Sequence, residues 1–505
     1  MVEPSHSMSK EYEIKDSIKI ATIGNVDSGK TTLVGVLTKG IADDGRGSAR
    51  LRVFNYPHEA QNGRTSSIAH EIMGFDANGK QILPERYNPN KNKYWGEVVK
   101  GSKKVVTLLD LCGHEKYLKT TMFGLVGLSP DYSMIIVGAN MGISKMTKEH
   151  LGITLALKIP FFIVLTKIDM CPDNVYKETL DTLHKILKMS TVNRVPFILK
   201  ETDDIQKIAQ SLESDRICPI FCVSSVSAIG YDILIKFLSL LETRKKYIPT
   251  QDKKEFFEFD INENFLIPGI GIVLSGIMKS GCAKVNQIAL LGPDKNKGFK
   301  SVTLKSIHIN RVPAEITVAG QFACFSIKPT KTTDKLTREE IRRGMVLIDP
   351  ALKPEPVWEF EVDVVILHHS TTIKVGYQCV MHCGVVRQSI VIKKLNVEVL
   401  RTGDKGHALM RFMYNPEFIK KGESILLREG RTKILGHITD LNFEEENLGF
   451  DKGHIEKEKE KEKGEHEKEN IPIKEKIEKP KEIEILKETG EKKNIEENKN
   501  EETTN

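Results

Sequence analysis

The stretch that most restricts this chain is Gly24-Asn25-Val26-Asp27-Ser28-Gly29-Lys30-Thr31, which fits the pattern G-x-x-x-x-G-K-[ST]. It follows a short β-branched apolar run at 18–23, which reads as a strand, and runs through Thr32 into a helical pattern at 32–37. Strand, Gly-rich turn and helix together form a phosphate cradle. Glycines at Gly24 and Gly29 let the backbone curl closely around an anion, and the N–H groups and helix N-terminus face it. Lys30 reaches the outer phosphates of a nucleotide, and the Thr31 hydroxyl suits a Mg²⁺ ion.

Further nucleotide signals follow in order. The apolar strand at 105–109 delivers Asp110-Leu111-Cys112-Gly113-His114. An Asp at a strand end followed by x-x-Gly supplies a second Mg²⁺ contact and a backbone N–H toward the γ phosphate. His114 stands where a side chain can orient an attacking water. After strands at 133–137 and 161–165 comes Thr166-Lys167-Ile168-Asp169, close to N-K-x-D. A carboxylate at Asp169 accepts from N1–H and the N2 amine of guanine, a donor pair that adenine lacks. The Lys167 stem lies along a base plane, and Thr in place of Asn alters one polar contact. The strand at 217–223 ends in Ser224-Ser225-Val226, whose N–H groups suit the guanine oxygen.

Between the first two signals, residues 40–72 are polar and Gly-rich without clear periodicity, as a functional or a mobile segment usually is. It contains Gly63-Arg64-Thr65-Ser66-Ser67, where a P-loop protein keeps its first switch segment, which would supply a second hydroxyl to Mg²⁺ once the γ phosphate is present. Residues 76–100 read as an inserted surface loop or hairpin, with Trp95 as a local packing anchor. Helices are expected at 114–128, 148–157 and 230–241. Alternating strands and helices over 17–243 argue for a mostly parallel sheet covered on both faces, with the site at the C-terminal strand edges.

After a charged linker at 244–254 the rhythm changes. Short strands with Gly turns at 265–276, 285–291, 301–307, 321–327 and 344–348 predict an antiparallel β-barrel over 255–350. Beyond Pro354-Glu355-Pro356, strands at 358–367, 378–383, 390–400, 407–412, 424–428 and 434–440 predict a second barrel over 355–445. Residues 449–505 read as a disordered Lys/Glu-rich spacer. The 14 Lys against 18 Asp and Glu of residues 451–505 take four from the formal net charge of +6, so residues 1–450 carry +10. That balance fits a nucleic-acid partner.

The eight Cys are scattered. Cys218-x₃-Cys222 and Cys379-x₃-Cys383 read as core thiols, since no second ligand pair stands at zinc spacing. Without an apolar leader or a membrane-length run, a reduced, cytoplasmic protein with no membrane partner is expected.

Taken in order, GNVDSGKTTLVGVL, GRTSS, DLCGHEKYLKTT, MTKEHL, TKIDMCP, PGIGIVLSG and LREGRTK resemble the translational GTPases of the elongation factor Tu and elongation factor one-alpha superfamily, and more closely the GTP-binding protein 1 and GTP-binding protein 2 group. The likeness runs from about Ile18 to about Leu441. It implies a GTPase domain followed by two β-barrels, with GTP and Mg²⁺ as ligands. Gly24 to Thr31 would cradle the phosphates, Asp110 to His114 form the second switch, and Thr166 to Asp169 read guanine. The elongation-factor pattern R-x-x-T puts Ser67 at the Mg²⁺ position beside Thr31 and Asp110, with Thr65 as the fallback. Val26 keeps one member of the apolar pair that flanks the catalytic His, and Ser66 falls where the other would be. Lys30, Gly113 and His114 are the expected catalytic residues.

The resemblance further implies a monomeric switch that carries an RNA-bound cargo to the ribosome. Its roles would be aminoacyl-tRNA delivery, rescue of stalled ribosomes, or mRNA decay with exosome components. Two alternatives stand beside it: a GTP-stabilised RNA-decay adaptor with little hydrolysis, and a sulfate-activation GTPase of the same architecture.

Overall fold

The computed structural model describes residues 16–84, 90–212, 216–244, 256–331, 335–430 and 432–442. The lead-in up to residue 15, most of the 244–254 linker and the charged tail lie outside them.

The first part alternates as the sequence suggests. In order come β1 (Asp16–Gly24), α1 (Lys30–Lys39), α2 (Ser48–Leu51), α3 (Pro57–Asn62), β2 (Ala69–Phe75), β3 (Gln81–Ile82), α4 (Lys91–Gly101), β4 (Lys104–Asp110), α5 (Leu118–Val126), β5 (Tyr132–Gly138), α6 (Lys145–Ala156), β6 (Phe161–Thr166), α7 (Asp173–Lys188), β7 (Val195–Ile198), α8 (Ile205–Ser211), β8 (Ile217–Cys222) and α9 (Tyr231–Leu240). The sheet order is β3-β2-β4-β1-β5-β6-β8-β7. β4, β1, β5, β6, β8 and β7 run parallel, and β2 and β3 join antiparallel at one edge.

Both faces are covered, and the strand residues divide between them as the period of two requires. Ile18, Ile20, Met134, Ile136, Phe162 and Val164 join a core with Leu33, Leu37, Ile208 and Phe237. Ala21, Ile23, Ile135, Val137, Ile163 and Leu165 join the opposite core with Leu118, Met122, Leu125, Leu151 and Leu183. Near-continuous apolar runs are therefore what such strands need.

Residues 76–100, expected as an inserted surface loop or hairpin, hold a hairpin turn at 76–80 and depart from the expectation beyond Asn90. They form the short β2–β3 hairpin and, over Lys91–Gly101, the helix α4. Asn90 caps it by accepting from the Asn92 N–H at 3.0 Å. Tyr94, Trp95 and Val98 fall on one face and pack with Ile72 and Val105. The high Asn, Gly and Lys content hides an i, i+1, i+4 apolar stripe only five residues long. Trp95 is a packing anchor.

The two barrels follow. The middle one has β9 (Glu258–Ile267), β10 (Gly271–Ser280), β11 (Cys282–Lys284), β12 (Ile288–Gly292), β13 (Lys300–Ile309), β14 (Val312–Ala314), β15 (Ile316–Val318), β16 (Phe322–Pro329) and β17 (Val346–Ile348). Its order β12-β17-β9-β10-β16-β13 closes by pairing β13 with β12. Gly276 stands at a β-bulge, and a Cβ there would meet the Asp260 carbonyl oxygen at 1.9 Å, so only glycine fits. The last barrel comprises β18 (Glu359–His368), β19 (Gln378–Cys383), β20 (Val386–Leu395), β21 (Lys405–Phe412), β22 (Ser424–Glu429) and β23 (Thr432–Asn442), closed in the order β18-β21-β20-β19-β22-β23. Cys379 and Cys383 are in its core, Cys218 is in the sheet core, and Cys222 is half-buried beside the Tyr176 hydroxyl at 3.2 Å.

The core beneath α5 does not stop at the sheet. It takes in Ile277 of the middle barrel and Leu426 of the last, with Phe322 and Leu435 packed against it. Among the described residues no helix is long and apolar enough to cross a membrane.

Candidate functional site: a phosphate cradle, two switch segments and a base pocket

β1 ends at the C-terminal edge of the sheet, where Gly24 adopts φ +151°. A Cβ there would lie 2.3 Å from the Ile136 carbonyl oxygen, so the tight exit from the strand needs glycine. Asp27 and Gly29 are left-handed, with φ 58° and 85°, and they wrap the loop onto the N-terminus of the ten-residue helix α1. Ser28 Oγ and Lys30 Nζ both donate to the Asn25 carbonyl oxygen, at 2.9 and 2.6 Å. The Lys30 ammonium is thus held across the cradle's mouth. Its burial lowers the pKa, against the raising charges of Asp110, Cys112 and Asp27. An anion placed there would satisfy the lysine and the helix N-terminus together.

Thr31 and Asp110 meet at the floor. Thr31 Oγ1 donates to Asp110 Oδ2 at 2.6 Å, and its oxygen lies 2.8 Å from Thr65 Oγ1. Thr65 Oγ1 is also 3.3 Å from the same carboxylate oxygen. Asp110 is wholly buried, and its Oδ1 has no hydrogen-bond partner among the described residues. Burial raises its pKa to about 6, although the Thr31 hydrogen bond and the Lys30 charge pull it down. A carboxylate with an orphaned buried oxygen beside two hydroxyls is a hard oxygen donor set. With nucleotide phosphates to complete it, this set fits Mg²⁺.

The first switch segment places its hydroxyls differently from the R-x-x-T reading. Thr65 joins Thr31 and Asp110, whereas Ser67 is turned onto Glu59, its Oγ donating to Oε1 at 3.1 Å. Ser66 shares that carboxylate through its N–H at 2.7 Å and its Oγ at 2.9 Å. Gly63 ends α3 with φ 64° and lies against the Arg50 guanidinium, while Arg64 is exposed. Asp43 holds the start of the segment by accepting from the N–H groups of Gly45, Gly47 and Ala49, at 3.1, 3.2 and 2.9 Å.

The second switch lies against the cradle. A Cβ on Gly113 would come within 2.4 Å of Lys30 Nζ and 2.8 Å of the Asn25 carbonyl, so glycine lets this backbone reach the loop. Leu111 and Cys112 are buried, and the Cys112 thiol donates to the Ser67 carbonyl oxygen at 3.4 Å, joining the two switches. His114 is half-buried and caps the turn before α5, its Nδ1 accepting from the Lys116 N–H at 3.1 Å. That bond leaves the proton of a neutral ring on Nε2. Val26 is half-buried in the cradle, and Ile68 packs on the α5 core.

On the base side, Thr166 is buried and donates to the Ser28 carbonyl oxygen at 2.7 Å. Lys167 is left-handed at φ 62°, which turns Ile168 and Asp169 into a short 3₁₀ turn with the Asp169 carboxylate exposed. Ser224 is buried, and its Oγ accepts from the Ser227 N–H at 3.2 Å. The Ser225 carbonyl oxygen accepts from the Asp43 N–H at 2.8 Å, which links this loop to the first switch, and Val226 is exposed beside it. Thr32 is half-buried on α1.

Sequence reasoning passed over Glu59. Its signal was faint: Pro57 at the first helical position and Glu59 at the third form half of a capping box, but Tyr56 is a poor N-cap. The contacts from α5 and α6 to the barrels were also invisible, because they join segments far apart in the chain.

A glycine-rich cradle at the C-terminal edge of a mostly parallel sheet, with Lys30, Thr31 and Asp110 gathered on it and two β-barrels following, defines a P-loop GTPase of the translation-factor class. The profile described as the elongation factor Tu GTP binding domain matches residues 15–250, and the GTP-eEF1A C-terminal domain-like profile matches residues 359–434. The chain is 44% identical over 431 residues to GTP-binding protein 1 of Xenopus laevis, covering 85% of this chain and 64% of that protein. It is 38% identical over 441 residues to human GTP-binding protein 2, covering 86% and 71%. The match therefore spans slightly under two thirds of the length of the frog protein. The bacterial selenocysteine-specific elongation factor EF-Sec is similar in fold, with TM-score 0.58, 20% identity and coverage of 88% and 61%. So is SelB of Methanococcus maripaludis with the GTP analogue GppNHp, at TM-score 0.55, 18% identity and coverage of 87% and 85%. The chain belongs to the GTP-binding protein 1 and GTP-binding protein 2 group of the elongation factor Tu and elongation factor one-alpha superfamily.

Proposed function

We propose that this protein binds and hydrolyses GTP as a conformational switch and acts, as a cytoplasmic monomer, on ribosome–tRNA complexes in elongation or stalled-ribosome rescue. The observation that carries the reading is the path from site to barrels. α5 begins four residues after His114, and its core includes Ile277 and Leu426, one from each barrel. A movement of 110–114 is thereby transmitted to both barrels at once.

Each site residue has a task. Residues Gly24 to Thr32 hold the phosphates, with Lys30 offsetting their charge. Thr31, Asp110 and a switch hydroxyl are the residues that would hold Mg²⁺, which when bound neutralises phosphate charge. Gly113 brings the second switch to the γ phosphate, and His114 orients water. Asp169 reads guanine, with Lys167 along the base and Ser224 to Val226 near its oxygen. Intrinsic turnover of about 10⁻⁴ to 10⁻² per second is expected, rising by up to about 10⁵-fold with an activator.

The test is multiple-turnover GTP hydrolysis with and without 80S ribosomes, beside a His114→Ala control. Stimulation that vanishes in the control supports the reading. Normal GTP binding without stimulation favours a GTP-stabilised RNA-decay adaptor working with exosome components. The polar setting of Ser66, bonded to Glu59 where an apolar partner to Val26 was expected, is the feature on that side. Asp169→Asn tests the base: preference moves from GTP toward XTP, and unchanged GTP affinity removes the guanine role.

A further inference from the structure

Glu59 is wholly buried in the first switch segment, and no cation pairs with it among the described residues. It is instead fully engaged by hydrogen bonds. Oε2 accepts from the N–H groups of Asn55 and Tyr56 at 2.9 and 3.2 Å. Oε1 accepts from the N–H groups of Ser66 and Ser67 at 2.7 and 3.0 Å, and from both hydroxyls at 2.9 and 3.1 Å. Burial pushes its pKa up, but the bonds from Ser66, Asn55 and Ser67 outweigh that and hold it below the ordinary carboxylate value. A buried carboxylate that stays charged without a counter-ion needs several donors of this kind. Here the donors come from both sides of one loop, so the loop closes around the charge.

The consequence falls on three consecutive hydroxyls. With Ser66 and Ser67 both turned onto Glu59, Thr65 is the one left facing Thr31 and Asp110, 2.8 Å from Thr31 Oγ1. Asn55 Nδ2 also approaches Ser67 Oγ at 3.4 Å, which keeps that serine on the Glu59 side. The geometry points to Glu59 as a positioning residue that selects Thr65, rather than Ser67, as the switch hydroxyl offered to the Mg²⁺–triphosphate. This rests on the nucleotide reading of residues 24–31 and 110–114. Glu59 has no hydrogen bond to Thr31, Thr65 or Asp110 among the described residues; it acts through the serines.

The test titrates Mg²⁺ against fluorescent mant-GTP and mant-GDP bound to the full chain, for the unmodified protein, Thr65→Val, Ser67→Ala, Glu59→Gln and the Glu59→Gln/Thr65→Val pair. A Gln side chain cannot present acceptors to both sides of the loop, so Glu59→Gln frees the serines. Thr65→Val is expected to raise the Mg²⁺ concentration for half-saturation with mant-GTP by about tenfold, well above any effect of Ser67→Ala. Glu59→Gln should raise it similarly, with mant-GDP little changed, and the double variant should be no worse than either single. A role confined to stability would move both nucleotides alike, and that outcome overturns the proposal. So does a larger effect of Ser67→Ala than of Thr65→Val, a comparison that stands even if Glu59→Gln fails to fold. Absence of mant-GDP binding by the unmodified protein would overturn the nucleotide reading beneath it.

Discussion

The Thr166 hydroxyl donates a 2.7 Å hydrogen bond to the Ser28 carbonyl oxygen, across 138 residues of chain. It joins the end of β6, which leads into the Thr166–Asp169 turn, to the turn of the phosphate cradle. One buried contact therefore fixes the spacing between the 166–169 turn and the cradle. Thr in place of Asn keeps a donor at this point, with a second acceptor, Val137 O, at 3.3 Å.

Thr166→Val should accordingly weaken GTP and GDP together. It strands the buried Ser28 carbonyl, which costs about 1–3 kcal/mol, or about 5- to 150-fold in affinity. Thr166→Asn should bind nearly as the natural protein does. Calorimetry with each nucleotide checks this, and a loss confined to GTP would show that the contact does something other than set the spacing.

Gly113→Ala acts at the opposite wall. The added Cβ meets the Lys30 ammonium, which can swing aside, and the Asn25 main chain at 2.8 Å, which cannot. The second switch must back away from the cradle. The preference for GTP over GDP should fall by about tenfold or more while GDP affinity holds, measured by displacement of a fluorescent nucleotide. Equal losses for both would mean that the cradle itself had collapsed.

These contacts show what the chain reveals on reading and what it does not. The cradle, the Asp110 turn and the Thr166 turn are local, and their backbone demands are written in short patterns: Gly24 where a Cβ has no room, Asp27 and Lys167 in left-handed turns. The sheet and the barrels were legible because apolar runs and Gly turns repeat at strand length. The 91–101 helix was not, because its buried face is three residues among Asn and Lys. Nor was the turning of Ser66 and Ser67 away from Thr31 and Asp110, since it depends on where one carboxylate, Glu59, folds back. α7 and α8 lie in a stretch without motifs, although α7 keeps Thr179, Leu183 and Leu187 on one buried face.

Acid should loosen the protein through His150. This α6 residue is wholly buried, and neither ring nitrogen has a hydrogen-bond partner among the described residues. Burial first, then the Lys30 charge, lower its pKa from 6.5 to about 4, with Glu149 opposing and Arg428 and Lys433 adding. The unfolded chain takes up this proton below pH 6.5, the folded chain only near pH 4, so stability is intact above 6.5 and is lost as pH falls between the two. At pH 5 the loss is about 2 kcal/mol. Denaturant unfolding at pH 7.5 and 5.0 should show that His150→Leu flattens the change by roughly that amount. An unaltered slope would assign it to other groups.

Glu149, next along α6, ties the GTPase domain to the last barrel. Its Oε1 lies 2.7 Å from Lys433 Nζ and 3.3 Å from Arg428 Nη2, with the three side chains 10%, 29% and 20% exposed. Burial raises its pKa, yet the Lys433 hydrogen bond and the charges of Lys433 and Arg428 hold it below the ordinary value, so the carboxylate stays ionised. Removing it leaves two cations facing each other without their counter-ion, a larger penalty than the pair itself is worth. Glu149→Gln should therefore destabilise by about 1–3 kcal/mol and speed hydrogen exchange in α6, β22 and β23, while nucleotide affinity changes little. Adding Lys433→Met should recover part of the loss, because it removes one of the stranded charges. If the two changes were merely additive, the pair would not be the element that holds this face of the GTPase domain to the barrel, and the coupling would have to run through the α5 core and Leu426 alone.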